Sequence, residues 1–206
     1  MSRRLAQVLA VVVVGTFLAS PAVVAQQTLV PGSLIVKALA DKKVTALPVG
    51  RPRLYWRIET FPSLAQAQAA AGQWGLAAET FGKAWLFTLG AKGGASSGGT
   101  KVADVGPLPP VVAKEYLLRI NEGTGAPNSI TVVHTHPGVE AFYTVAGEVC
   151  LRTPQGMIRI PAGKAEAGAD TDTPIQVSNC GTTELRELIM FVVDANRPFS
   201  SPAVLP

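Results

Sequence analysis

The stretch His134-Thr135-His136-Pro137-Gly138-Val139-Glu140 decides how this chain is read. It holds both histidines of the 206-residue sequence, one residue apart, and a carboxylate follows four positions after the second. In an extended strand, residues i and i+2 point to the same face. Both imidazoles therefore reach one point on the inner side of a sheet. Two histidines and one carboxylate converging on a point form a ligand set for Fe(II), Mn(II), Ni(II) or Zn(II), with positions left open for a substrate. No other stretch offers comparable chemistry. The run Gly90 to Gly99 lacks the Gly-Lys-Ser/Thr ending of a phosphate loop and reads as a mobile connector. A Ser-His-Asp triad would need a histidine away from this strand, and there is none.

Working outward, strand signals recur at short intervals. Ser129 to His136 is one, with Ile130, Val132, His134 and His136 on one face. Glu140 to Ala146 follows, and Gly147 turns the chain into Glu148 to Arg152. Pro154-Gln155-Gly156 is a hairpin turn, and Met157 to Ile160 returns from it. Glu115 to Ile120, Ile175 to Ser178 and Leu185 to Val193 complete the set. Upstream, Leu54 to Glu59 and Ala84 to Leu89 read as strands. Ser63 caps a short surface helix, Leu64 to Ala71, which Gly72 ends. Phe142 and Tyr143 read as barrel packing, and Trp56, Trp74 and Trp85 as core or surface anchors. Many short strands separated by Gly/Pro/Asn turns predict an all-β sandwich or barrel.

At this point the residues resemble the cupin superfamily. His134, His136, Glu140 and Gly147 match the spacing of its first motif, and Glu140 to Val149 is similar to the family's turn between barrel strands. The glycine the family places six residues before the first histidine is Asn128 here. The resemblance covers roughly Glu115 to Asp194. It implies a cupin-type double-stranded β-helix, a small jelly-roll barrel with its site inside, and a metal held by His134, His136 and Glu140. The family's second motif supplies a further histidine ligand. The best match, Asp170 to Asn179, puts Ile175 at that position. A second alignment, from Pro161, puts Glu166 there. In either alignment the third histidine is gone. The implied organisation is a leader over 1–25, a β-rich extension or degenerate cupin half over 26–110, a cupin barrel over 111–195 and a Pro-rich tail over 196–206. A homodimer is a family expectation.

The leader rests on the residues themselves. Arg3 and Arg4 precede an apolar run, Val8 to Leu18, and Val23-Val24-Ala25 supplies a cleavage site. The run is shorter than the ~20 residues a bilayer needs. The expectation is therefore a periplasmic or secreted protein that is not membrane-bound after cleavage. Arg3 and Arg4 account for two of the formal +4, so the mature chain carries +2. There is no cationic cluster to bind nucleic acid. Cys150 and Cys180 permit one disulfide in an oxidising compartment, or two buried thiols.

Three functions fit this reading. One is a barrel that binds an anionic or oxygen-rich small molecule with the help of the metal. Another is a metal-dependent oxygenase or isomerase. The third is a metal-free binding or structural β domain. Ile175 counts against a fully equipped enzyme.

Overall fold

The computed structural model describes residues 32–48 and 53–206. The expected leader and its cleavage point lie outside the described residues. The chain runs through β1 (Ile35–Val44), β2 (Tyr55–Phe61), α1 (Leu64–Ala70), β3 (Gly75–Thr80), β4 (Lys83–Gly90) and β5 (Thr100–Val105). Then follow β6 (Tyr116–Gly125), β7 (His134–Thr135), β8 (Gly138–Ala146), β9 (Glu148–Thr153) and β10 (Gly156–Pro161). The last four are β11 (Ala165–Glu166), β12 (Gln176–Asn179), β13 (Leu185–Asp194) and β14 (Ser201–Pro202).

Eight strands, β6 to β13, are shared between two antiparallel sheets. One has the order β1-β6-β13-β8-β11. The other has β10-β9-β12, and single bridges from Ile130 to Ser178 and from His134 to Ile175 extend it to the β7 segment, which β14 then flanks. The chain winds back and forth between the two sheets, as a jelly roll does. β2 to β5 form a separate sheet of order β3-β4-β2-β5, with α1 packed against it. Ser63 caps α1 by accepting a hydrogen bond from the Gln66 backbone N–H at 3.3 Å.

The five-stranded sheet has two buried faces, and strict alternation along its strands separates them. Leu118, Ile120, Val139, Ala141, Leu188, Met190 and Val192 point outward and pack on Trp56, Ile58, Trp85, Phe87 and Leu89 of the β2–β5 sheet. Phe142, Leu185, Ile189, Phe191 and Val193 point inward and meet Val149, Leu151, Ile160, Ile175 and Val177 of the opposite barrel wall. Each fully buried side chain of this size contributes roughly 1.5–3 kcal/mol. Phe142 is barrel packing, Tyr143 packs on the outer core, and Trp56 and Trp85 are core residues.

Turn chemistry holds the barrel corners. Gly147 has φ +77°, and a Cβ there would lie 2.8 Å from the Glu184 carbonyl oxygen, so the β8–β9 turn requires glycine. Asn179 is fully buried. Its amide donates to the Gly125 and Thr183 carbonyls, and its side-chain oxygen accepts from the Gly181 N–H. Cys150 on β9 is bonded to Cys180, just beyond the neighbouring β12. Closing this 30-residue separation restricts the unfolded chain by about 3–4 kcal/mol.

Two expectations need correction. The strand expected over Ser129 to His136 is regular only at His134–Thr135. The Thr131 hydroxyl accepts from the Val177 N–H at 3.0 Å and takes a place in the ladder, while Ile130 and Val132 turn out to solvent. The loop Gly90 to Gly99, read as a mobile connector, is pinned. Buried Glu59 accepts from the Ser96 N–H at 2.6 Å and its hydroxyl at 2.8 Å, and pairs with Arg57 at 2.9 Å. Those anchors are long-range, so the loop's glycine content gives no sign of them.

Candidate metal centre and its pocket

His134 and His136 sit on and just after β7, and Glu140 sits near the start of β8. The three ligand atoms all lie within 4.8 Å of one another. The Glu140 Oε2 is 3.9 Å from His134 Nε2 and 3.7 Å from His136 Nε2. Both separations are too long for hydrogen bonds. His134 Nδ1 lies 2.8 Å from the Val132 carbonyl oxygen, and His136 Nδ1 lies 2.6 Å from that of Phe199. A carbonyl can only accept, so each Nδ1 carries the proton and each Nε2 keeps its lone pair. Two Nε2 lone pairs and one buried carboxylate oxygen therefore face each other. That oxygen has no hydrogen-bond partner. Three acceptors with no donor between them suit a cation, and carbonyls that fix the far ring nitrogens are the usual support for histidine ligands. The donor set thus fits a divalent transition metal.

The electrostatics agree with a neutral His136 in a dry setting. Burial pushes His136 down to about 4, assisted by the charges of His134 and Arg119 and opposed by its bond to Phe199. Burial holds Glu140 well above the ordinary carboxylate range, and Glu187 adds to this. A cation at the three ligands would reverse that preference and keep Glu140 ionised.

The Ile175 backbone exchanges both hydrogen bonds with that of His134, at 3.0 and 2.8 Å. Directly opposed residues share a face, so Ile175 stands on the inner side beside the histidines, buried and without a ligand atom. Glu166 lies elsewhere, on β11 opposite Phe142. Gln176 turns away and donates to the Thr131 carbonyl.

The centre forms part of the wall of a cavity of about 240 Å³. Leu34 and Val36 of the β1 region, Val177, Ile189 and Phe191 supply its apolar lining. A larger recess of about 560 Å³ near Leu54 and Pro107 has no convergent ligand atoms among the described residues. Among the described residues, the barrel cavity is the one whose wall holds a convergent ligand set.

Three of its residues escape motif reading. Phe199, in the stretch read as a Pro-rich tail, gives its carbonyl to His136 and its ring to a cluster with His136 and Phe191, at centroid distances of 4.8 and 4.9 Å. Nothing in its local sequence signals this. Glu187 is fully buried, and neither carboxyl oxygen has a hydrogen-bond partner. Burial pushes it up to about 8. Its signal was available: it is the one acid among the inward positions 185, 187, 189, 191 and 193. Asn121, on the inner face of β6, is the third.

A scan against models of protein families finds no match, and a search of curated proteins finds none. Among solved structures, the chain is similar to a conserved Klebsiella pneumoniae protein with a double-stranded β-helix domain. Identity is 18% over 42% of this chain and 75% of that one, with a TM-score of 0.37. It is similar to the polyketide cyclase RemF of Streptomyces resistomycificus, at 21% identity over 43% of this chain and 62% of that one, TM-score 0.36. It is also similar to Lactobacillus farciminis oxalate decarboxylase, at 16% identity over 41% of this chain and 26% of that one, TM-score 0.35. The chain spans less than two thirds of the length of the last two. These likenesses concern the fold, and the strand order described above defines it. The barrel is a double-stranded β-helix, a small jelly roll. Its buried His134-His136-Glu140 group could hold a metal.

Proposed function

We propose that this protein is exported and binds a small molecule inside the cupin-type barrel, beside a divalent transition metal held by His134, His136 and Glu140. The observation that carries this reading is the meeting of two Nε2 lone pairs with an unpartnered carboxylate oxygen on the wall of a cavity. His136 and His134 are oriented by the Phe199 and Val132 carbonyls, and Glu140 supplies the negative charge. The metal, when bound, would act as a Lewis acid toward an oxygen of the ligand. Ile175 closes the remaining side with hydrocarbon, so fewer protein ligands hold the ion than in a site with a third histidine. The Cys150–Cys180 bond supports an oxidising compartment, and the leader-like residues 1–25 support export.

The test is elemental analysis of protein purified from its native compartment, beside a His134→Ala/His136→Ala double variant. Wild type is expected to carry iron, manganese, nickel or zinc, and the variant to lack it. Equal, near-zero metal in both would remove the metal from this reading. Intact mass should show a chain that begins at Gln26, and a full-length mass would remove cleavage after Ala25.

A further inference from the structure

We propose that Glu187 and Asn121 are specificity-determining residues that receive a hydroxyl group on a small, mainly apolar ligand. This deepens the reading of the barrel as a small-molecule pocket and rests on it. Glu187 is fully buried, lines the cavity and leaves both carboxyl oxygens without partners. An unpaired buried polar group is a standing cost of about 1–3 kcal/mol, more for a charged one. Such a group survives where a ligand supplies the missing partner.

The niche is built for it. Glu187 lies opposite Gly123 in the β13–β6 pair. A Cβ at Gly123 would collide with the Glu187 Oε1, so the glycine makes room for the carboxyl group. Asn121 is one inward step along β6, opposite Ile189. Its Oδ1 accepts from Arg119 Nε at 3.0 Å, which leaves its amide as the donor available to a ligand. An acceptor and a donor side by side match a hydroxyl, which gives one hydrogen bond and accepts another. The guanidinium of Arg119 lies over the Phe199 ring, 4.5 Å from its centroid. No lysine or arginine lines the cavity among the described residues. Without a metal, nothing in that lining balances the charge of a carboxylate. The remaining lining is largely hydrocarbon, and the volume admits a molecule of one small ring.

The experiment uses three probes matched in their ring: cyclohexanol, cyclohexyl methyl ether and cyclohexanecarboxylate. Binding to the zinc-loaded and the chelator-stripped full chain is measured by saturation-transfer NMR and competition. Wild type is expected to prefer the alcohol to the ether by about tenfold, the worth of one hydrogen bond to a group of this kind, and to bind the carboxylate weakest in the stripped form. Glu187→Leu is expected to abolish the alcohol preference and to raise Tm, since it removes an unsatisfied buried acid. Glu187→Gln keeps the shape and should retain part of the preference. Equal binding of alcohol and ether by wild type would overturn the hydroxyl assignment alone. Loss of Tm in Glu187→Leu with the alcohol preference intact in that variant would make the acid structural and also overturn it. Failure of all three probes to bind any form would remove the small-molecule pocket itself, and this inference with it.

Discussion

The two faces of one sheet show how this chain divides its work. On the outer face, β6, β8 and β13 present Leu118, Ile120, Val139, Ala141, Leu188, Met190 and Val192 to the β2–β5 sheet, and the half-buried Glu122 at the end of that row accepts from the Thr80 hydroxyl of β3. On the inner face, one residue out of phase, the same strands present Arg119, Asn121, Glu140 and Glu187 among Phe142, Ile189 and Phe191. The outer face is filled and supplies stability. The inner face leaves 240 Å³ open and carries acids that burial pushes out of their usual range. A period of two makes this separation possible, because each strand residue belongs wholly to one side.

The comparison predicts that damage to the outer face is large and chemically silent. Phe87 is fully buried where the β2–β5 sheet meets the barrel. Phe87→Ala is expected to cost about 3–5 kcal/mol in denaturant unfolding. Metal content of the folded fraction should stay at the wild-type level. A loss of metal at full occupancy of the fold would show that the two faces are not independent.

The inner face predicts a pH signature instead. Glu187 sits at about 8 in the folded chain against an ordinary 4.5, so the native state holds a proton that the unfolded chain releases between those values. Stability from this group is therefore full below about pH 4.5 and declines as pH rises toward 8, by at most about 1.4 kcal/mol per pH unit. Glu140 acts in the same direction in metal-free protein. Unfolding of chelated wild type and of Glu187→Gln, compared from pH 5 to pH 8, should show the steeper decline in wild type. Parallel curves would mean that Glu187 is satisfied or hydrated in solution.

How much of this was legible in the sequence follows from where each signal lives. His134, His136 and Glu140 are close in the chain, so a periodic strand and one turn suffice to bring them together. Ile175 was placed by motif spacing, and the His134–Ile175 pairing puts it at the ligand wall. β1 was harder to read. It lies in the stretch taken as an extension, yet it pairs along β6 and brings Leu34 and Val36 to the cavity. Its lysines and alanines give no apolar alternation, because one edge of β1 and much of its surface face water. Phe199 was invisible for a related reason. Sixty-three residues separate it from His136, and the β14–β7 pairing of Ser201 with Thr135 helps to close that distance.

Phe199 also yields the smallest effect, and the one that best probes how the inner face is held. Its backbone carbonyl fixes the His136 tautomer, while its ring only packs on His136, Phe191 and Arg119. Phe199→Ala keeps the carbonyl and removes the ring. The loss in stability should be about 1 kcal/mol, since the pair adds roughly that much beyond burial at a half-exposed site. If backbone pairing of β14 alone holds the carbonyl in place, zinc affinity in a chelator competition should fall less than tenfold. If the ring is what holds it, the fall should enter the 10–100-fold range seen when a group that orients a metal ligand is lost. Pro202→Gly, which loosens β14 without touching the ring, should weaken zinc in the first case and spare it in the second. The two variants thus decide whether the tail serves the metal centre through its backbone or its side chain.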